Sequence, residues 1–351
     1  MRPDNKDPGV QRGPTWRPDF STPPMAAFFS LSGDDIRDEE ITLFKKDSPL
    51  GFILFRRNID SPPQLQSLTD NLREIAGWNC PIMIDQEGGR VARLQPPIWQ
   101  KTSAARFFGD LYEDNDALAE HDIRDAYRGI AQDLTQCGIN VNCAPVMDIL
   151  TDATHDSIGD RAYSADPDIV GACGDIVCRT FLEHGVTPVI KHMPGHGRAS
   201  VDSHHHLPIV DASLNDLQKS DFRAFRHIAQ KDYAHRVWGM TSHILFSELD
   251  KAYPASVSRK IHQNIIRGRI GFDGFLVSDD INMKGLTSYG DVDKRALAAL
   301  KAGSDAVLYC AGHIDEMQSL AGSLPRLSEE SVDRLVKCHN DNNEDNSKSY
   351  V

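Results

Sequence analysis

The sequence predicts an α/β protein folded as a single (β/α)8 barrel of the TIM type, with the active site at the C-terminal ends of the strands. Short apolar runs bounded by turn residues recur about eight times, and longer segments with helical periodicity separate them. Ionisable side chains stand where several of these runs end, which is the place where such a barrel builds its site. A length of 351 residues suits one barrel domain. The same alternation is compatible with an open, doubly wound sheet, so that fold is the alternative before motifs are considered.

Eight apolar runs are the predicted strands. Each is short, and glycine, proline or polar turn residues bound it, which favours a strand over a helix. In chain order they are Met25–Leu31, Gly51–Phe55, Pro81–Asp85, Ile139–Pro145, Pro188–His192, Val237–His243, Gly274–Asp279 and Ala306–Cys310.

Six longer segments between these runs are the predicted helices. The first is Pro62–Ala76, where Ser61 can cap the helix and Pro62 suits its first position. The others are Asp116–Gln136, Asp168–His184, Leu214–Ala229, Ser258–Arg269 and Val292–Ala302. The polar residues 1–24 and the tail 339–351, rich in Asn, Asp and Ser, are expected to be mobile ends that flank a catalytic barrel over residues 25–338.

Composition narrows the classes of partner and the compartment. The net charge is −13 without a basic cluster, which argues against nucleic acid and against anionic membrane surfaces as partners. Seven cysteines without a C-x-x-C pair indicate free thiols in a reducing compartment. The first twenty residues contain no apolar stretch that resembles a signal peptide, and no later run has membrane-spanning length. We therefore expect a cytoplasmic protein.

Charged residues end several of the predicted strands. The third strand ends in Asp85, with Arg93 shortly after it; the fifth ends in Lys191 and His192. Such groups would lose their hydration at the end of an apolar strand unless they served a site. They could instead form structural ion pairs.

Two further patterns suggest acid/base and nucleophilic chemistry. Asp202 and His204 are two residues apart in a glycine-containing loop, so an extended backbone would let them form an Asp–His dyad suited to general acid/base catalysis. The alternative is a solvated histidine run. Asp279 and Asp280 end the seventh strand, and side-chain alternation predicts that only one of them faces the barrel axis. The alternative for that pair is a helix N-cap and a surface charge.

At this point the motifs resemble a known family. The segments Asp85–Val91, Lys191–Gly197 with Asp202-Ser203-His204, and Ser278-Asp279-Asp280 with Met283 resemble three signatures of family-three glycoside hydrolases, in their NagZ-type β-N-acetylglucosaminidase branch. Gly159-Asp160-Arg161 is similar to the substrate-binding arginine loop of that branch. The resemblance runs in matching order from about residue 25 to residue 320.

The resemblance implies a role for each matching position. Asp279 matches the nucleophile, His204 the acid/base and Asp202 the partner that tunes that histidine. Residues that match those holding the N-acetylglucosamine unit are Asp85, Arg93, Arg161, Lys191 and His192. The implied enzyme is a retaining β-N-acetylhexosaminidase without metal or cofactor, which releases the sugar from muropeptides in peptidoglycan recycling of the cell wall. Two positions depart from the family pattern. Met193 stands in place of an aromatic residue, and Lys284 belongs to a segment whose commoner version is acidic. Both departures bear on substrate preference.

Other functions share parts of this pattern. A β-N-acetylglucosaminide phosphorylase could use the same site, because a neutral histidine acid/base lets phosphate replace water. A metal-dependent amidohydrolase could use His192 and His243, but it also needs an H-x-H pair after the first strand, where Leu31-Ser32-Gly33-Asp34-Asp35 stands. A non-catalytic sugar-binding protein would be expected to lack one of Asp279, His204 and Asp202, and all three are present.

Overall fold

The computed structural model describes residues 16–203 and 206–339. Its strands are β1 (Met25–Phe29), β2 (Pro49–Leu54), β3 (Ile82–Ile84), β4 (Val141–Asn142), β5 (Thr187–Met193), β6 (Ile209–Val210), β7 (Trp238–Thr241), β8 (Leu245–Phe246), β9 (Leu276–Asp280) and β10 (Ala306–Tyr309). Eight parallel strands close into a barrel in the order β1-β10-β9-β7-β5-β4-β3-β2. The predicted fold class is confirmed, and each predicted strand run overlaps one barrel strand.

Two short strands outside the barrel were not predicted. β6 and β8 pair in parallel, with Ile209 opposite Leu245 and Val210 opposite Phe246. They join the connection after β5 to the connection after β7. This pairing holds together two loops at the end of the barrel where the predicted site residues stand.

Helices surround the barrel. Their bounds are α1 (Asp38–Asp47), α2 (Pro62–Ala76), α3 (Ala105–Asp114), α4 (Asp116–Gln136), α5 (Pro167–Glu183), α6 (Leu214–Lys219), α7 (Asp221–Ala229), α8 (Arg259–Ile261), α9 (Val292–Ala302), α10 (Ile314–Ser323) and α11 (Glu329–Lys337). The bounds of α2, α4 and α9 match the prediction residue for residue, and α5 is shifted by one residue. No helix in the described ranges is both long and apolar enough to span a membrane.

Two predicted helices differ in the structure. The segment Leu214–Ala229 is broken at Ser220, whose backbone leaves the helical region (φ −120°, ψ −85°) and whose hydroxyl bonds locally to the Asp216 carbonyl and the Asp221 carboxylate. Serine competes for such bonds with the helical ladder, which explains the break. The segment predicted as Ser258–Arg269 begins as α8 and continues as a π-helix over His262–Ile270.

The barrel end opposite the predicted site is closed by the described parts of the two chain ends. Trp16 is fully buried, its indole nitrogen donates to the Thr187 hydroxyl at 3.0 Å, and its ring lies 5.4 Å from that of Trp238 and 4.5 Å from that of His339. Trp16 and His339, which fall within the two expected mobile ends, therefore pack at this end of the barrel. The parts of those two ends at 1–15 and 340–351 lie outside the described residues.

Candidate active site

A pocket with an empty volume of about 800 Å³ opens at the C-terminal ends of the barrel strands. Seven of the eight predicted site residues line it: Asp85, Arg93, Arg161, Lys191, His192, Asp202 and Asp279. The eighth, His204, lies outside the described residues. Apolar side chains from three strands, Ile53, Met240 and Leu308, also line the pocket. Residues far apart in the sequence thus converge, as the strand-end pattern predicted.

Asp85 stands directly after β3 and is held between two cations. Its Oδ1 accepts from Lys191 Nζ at 2.8 Å, and its Oδ2 accepts from Arg93 Nη2 at 3.1 Å. Burial alone would raise the pKa of Asp85, but the Lys191 ammonium and the Arg93 guanidinium outweigh it and hold that pKa well below its usual range. The carboxylate is therefore ionised and accepts hydrogen bonds at neutral pH.

Glu87 is a member of this cluster that the strand-end pattern did not select. It forms a bidentate salt bridge with Arg161, in which Nε donates to Oε2 at 2.8 Å and Nη2 donates to Oε1 at 2.8 Å. Lys191 Nζ also lies 2.6 Å from Oε1. Burial opposes its charge, yet Arg161 and Lys191 lower the pKa of Glu87 from 4.5 to about 2. In return the carboxylates raise the pKa of Lys191 against the opposing effect of burial. Lys191 thus stays charged although its side chain is only 2% exposed.

The loop that carries Arg161 is fixed from two sides. Arg161 Nη1 donates to the Ser157 carbonyl at 2.8 Å, within the same loop. Arg90, from the loop after β3, pairs with Asp160 at 2.6 Å and donates to the Ile158 carbonyl at 3.1 Å. The guanidinium of Arg161 is therefore held at the pocket wall by loops after two neighbouring strands.

His192, the last residue but one of β5, lies at the pocket and bonds to the buried Asp148. The His192 Nδ1 lies 2.7 Å from Asp148 Oδ2. Asp148 Oδ1 accepts from the backbone N–H of His192 at 3.2 Å and of His196 at 2.7 Å. Asp148 is fully buried, and although burial alone would raise its pKa, His192 and these hydrogen bonds hold it below the usual value.

The loop that carries the predicted acid/base residues packs tightly against the protein at its first residues. A side chain at Gly197 would meet the Ile149 carbonyl oxygen at 1.7 Å, so only glycine lets the loop approach this closely. Further along, the Ser203 hydroxyl lies 3.2 Å from His196 Nε2, and the Ser203 carbonyl accepts from the N–H of Gly285 at 3.3 Å. These contacts bring Asp202 to the pocket.

The two aspartates at the end of β9 differ in their surroundings. Both Asp279 and Asp280 line the pocket. The strand ends at Asp280, and the carboxylate Oδ1 of that residue accepts from the backbone N–H groups of Asn282 at 3.1 Å and Cys310 at 3.2 Å. The Asp280 carbonyl lies 2.9 Å from His243 Nε2, so this strand-end histidine bonds to the backbone of β9. The Asp280 carboxylate thus stabilises the backbone where β9 and β10 end.

The pocket combines fixed acceptors and fixed cationic donors around the carboxylate of Asp279. Hydroxyl and amide groups of a sugar need both kinds of partner, and such a frame can orient a neutral ring beside the Asp279 carboxylate. Among the described residues no group of three or more His, Cys, Asp and Glu side chains has an arrangement suited to a metal ion.

Comparison with known proteins gives a consistent result. The chain is 34% identical over 306 residues to a protein of Idiomarina loihiensis named beta-hexosaminidase, covering 87% of this chain and 89% of that protein. It is 32% identical to a beta-hexosaminidase of Bordetella avium over 82% of this chain and 81% of that one. The fold superposes with a TM-score of 0.82 on NagZ from Neisseria gonorrhoeae in complex with N-trifluoroacetyl-D-glucosamine, at 28% identity and covering 91% and 90% of the two chains.

The family comparison covers nearly all of the described barrel. The family model described as the N-terminal domain of glycosyl hydrolase family 3 matches residues 25–337. The match runs from the first strand to the last helix. The chain is therefore an enzyme that belongs to glycosyl hydrolase family 3.

Proposed function

We propose that this enzyme is a retaining exo-β-N-acetylglucosaminidase that removes a terminal N-acetylglucosamine unit by way of a covalent glycosyl-enzyme intermediate. One observation carries the proposal: the ion-paired cluster of Asp85, Lys191, Glu87 and Arg161 shares one pocket with Asp279. In support, relatives at 32–34% identity are named beta-hexosaminidase, and a structural neighbour was solved with an N-acylated glucosamine.

The cluster supplies a binding frame for one sugar ring. Asp85 is an ionised acceptor, and Lys191, Arg93 and Arg161 are donors whose positions are set by their carboxylate partners. Because the ion pairs pre-orient the donors, little conformational entropy is lost when hydroxyls bind. His192 adds a ring nitrogen on the same wall.

The chemistry proceeds in two displacements. In the first, an oxygen of Asp279 attacks the anomeric carbon and forms an ester while the bond to the leaving oxygen breaks. His204 donates the proton that the leaving oxygen needs, and Asp202 orients that imidazole and favours its protonated form. In the second, His204 removes a proton from water, the water oxygen bonds to the anomeric carbon, and the carboxylate of Asp279 departs. Two inversions at one carbon retain the β configuration.

The natural substrate that we propose is a muropeptide with a terminal N-acetylglucosamine, processed in the cytoplasm during peptidoglycan recycling. All seven cysteines are free thiols, in agreement with a reducing compartment. Release of the sugar from muropeptide should exceed release from chitin fragments at equal concentration. Equal or greater cleavage of chitin fragments would argue for a different physiological substrate.

The first test of the reaction is release of nitrophenol from a β-N-acetylglucosaminide by the purified enzyme. We expect activity that a chelator does not reduce and phosphate does not stimulate. Asp279→Ala should lower kcat by at least about 10³-fold, because removal of a nucleophile blocks the first displacement. Asp168→Asn, at the exposed pair with Arg223, is the control; neither residue lines the pocket, so the variant should stay near native turnover. Phosphate-dependent formation of a sugar 1-phosphate, or near-native turnover of Asp279→Ala, would contradict the proposal.

A further inference from the structure

The Asp148 carboxylate has an arrangement that a structural role alone does not require. It is fully buried behind the pocket wall, and among the described residues its hydrogen bonds go to the short segment between His192 and His196. One of its oxygens, Oδ1, receives two backbone N–H groups. The other, Oδ2, lies 2.7 Å from Nδ1 of His192, a residue that lines the pocket.

These bonds determine where the hydrogen of the His192 ring must be. The Asp148 carboxylate accepts two backbone N–H groups at Oδ1 and its pKa is not raised despite full burial, so it is ionised at neutral pH, and an ionised carboxylate only accepts hydrogen bonds. At 2.7 Å from Oδ2, Nδ1 must therefore carry the hydrogen. In a neutral ring Nε2 is then an acceptor, since the two ring nitrogens have opposite roles.

We propose that Asp148 is a positioning residue that keeps the ring hydrogen of His192 on Nδ1, so that Nε2 faces the bound sugar as an acceptor for one ring hydroxyl. This inference rests on the proposed function for the identity of the sugar. It means that the binding frame also needs acceptors. The cations of the wall can only donate hydrogen bonds, and a sugar hydroxyl that accepts from a cation still has its own hydrogen to donate. The carboxylates of Asp85 and Glu87 and Nε2 of His192 are acceptors on this wall that can receive such hydrogens.

Asp148→Asn isolates this role. The asparagine carbonyl keeps the place of Oδ1, because two backbone N–H groups converge on that atom and would clash with an amide NH2. The NH2 group then faces Nδ1 of His192, so the ring hydrogen must move to Nε2 for a bond to form. The backbone turn is preserved while the acceptor at Nε2 becomes a donor.

The consequence for catalysis can be measured with substrates that each lack one hydroxyl. In Asp148→Asn the sugar hydroxyl loses its hydrogen bond to Nε2 of His192 and is left unpaired. For the nitrophenyl β-N-acetylglucosaminide this loss corresponds to a fall in kcat/KM of about 10- to 100-fold. Wild type should discriminate against each monodeoxy analogue. The variant should lose that discrimination at one position and keep it at the others, a pattern that general damage to the fold would not produce.

Two further variants separate this role from stability. His192→Gln removes the imidazole, so the double variant with Asp148→Asn should be no worse than His192→Gln alone. Asp221→Asn alters another buried aspartate, which binds Arg198 of the same loop at 2.8 Å but does not line the pocket. It should leave the discrimination between analogues unchanged.

The deciding experiment is nitrogen-15 NMR of labelled histidine side chains at about pH 8, above the ordinary histidine pKa, with His192→Gln used to assign the signals. We expect hydrogen on Nδ1 of His192 in wild type and in Asp221→Asn, and on Nε2 in Asp148→Asn. Two results would overturn the proposal. One is a ring hydrogen that remains on Nδ1 in Asp148→Asn. The other is a fall in kcat/KM in Asp148→Asn that is equal on all analogues and adds to the fall caused by His192→Gln. Because the NMR result needs no turnover, it stays informative if the enzyme acts on another sugar.

Discussion

Glu87→Gln is the substitution that tests the electrostatics of the binding wall most sharply. It replaces a buried carboxylate that pairs with Arg161 and Lys191 by a neutral side chain of the same shape. Glutamine resembles protonated Glu87, with one carbonyl acceptor and no charge. The cost of the substitution should therefore be close to the free energy that separates ionised from protonated Glu87 in the fold.

The magnitude follows from the pKa of Glu87, which falls from 4.5 to about 2. Such a fall corresponds to about 3 kcal/mol of folding free energy at neutral pH. The low folded pKa means that this contribution is complete above pH 4.5 and is lost as the pH falls towards 2. At pH 3.5 about 2 kcal/mol should remain. In a protein of this size, a loss of about 3 kcal/mol lowers Tm by about 4 °C.

Urea unfolding at pH 7 and at pH 3.5 measures both values. Asp160→Asn is the matched control, because its pair with Arg90 is 2.6 Å long but both side chains are nearly half exposed, 47% and 45%. We expect the control to lose less than about 1 kcal/mol. A Glu87→Gln variant within 0.5 kcal/mol of wild type at pH 7, or a difference that does not shrink at pH 3.5, would refute this reasoning.

Three more predictions follow from the same contacts. Trp16→Ala should cost about 3 to 5 kcal/mol in urea unfolding without a change in KM; an unchanged unfolding curve would show that the packed chain end contributes nothing. Lys191→Met leaves the carboxylates of Asp85 and Glu87 without their shared cation, so kcat/KM should fall by about 10²-fold or more, and a fall under threefold would count against it. Asp202→Asn should lower kcat by about 10²-fold with little effect on KM; if KM alone changes, Asp202 binds substrate and does not tune His204.

The sequence predicted the barrel well because its signals are local. Apolar runs with turn residues on either side located each strand, and Ser61 with Pro62 marked the start of α2 to the residue. Four helices were missed, α1, α3, α10 and α11. Each is only nine or ten residues long, so few apolar residues mark its buried face. The break at Ser220 depends on side-chain bonds that periodicity does not contain.

The site was only partly predictable, because convergence in space leaves little trace in a single chain. Charges at strand ends identified Asp85, Lys191 and Asp279, since position on a barrel strand is readable from the sequence. Glu87 lies three residues beyond β3, and Asp148 lies in an irregular connection after β4. Nothing local indicated that they bind cationic or imidazole partners more than 40 residues away.

The central claim is that Asp279 becomes covalently bonded to the sugar. Its most direct test is incubation with a fluorinated N-acetylglucosaminide that forms the ester quickly and releases it slowly, followed by mass spectrometry of the intact protein and its peptides. The account predicts one added sugar per chain, attached to the peptide that contains Asp279 and absent from Asp279→Ala. Inactivation without an added mass, or attachment at another residue, would contradict it.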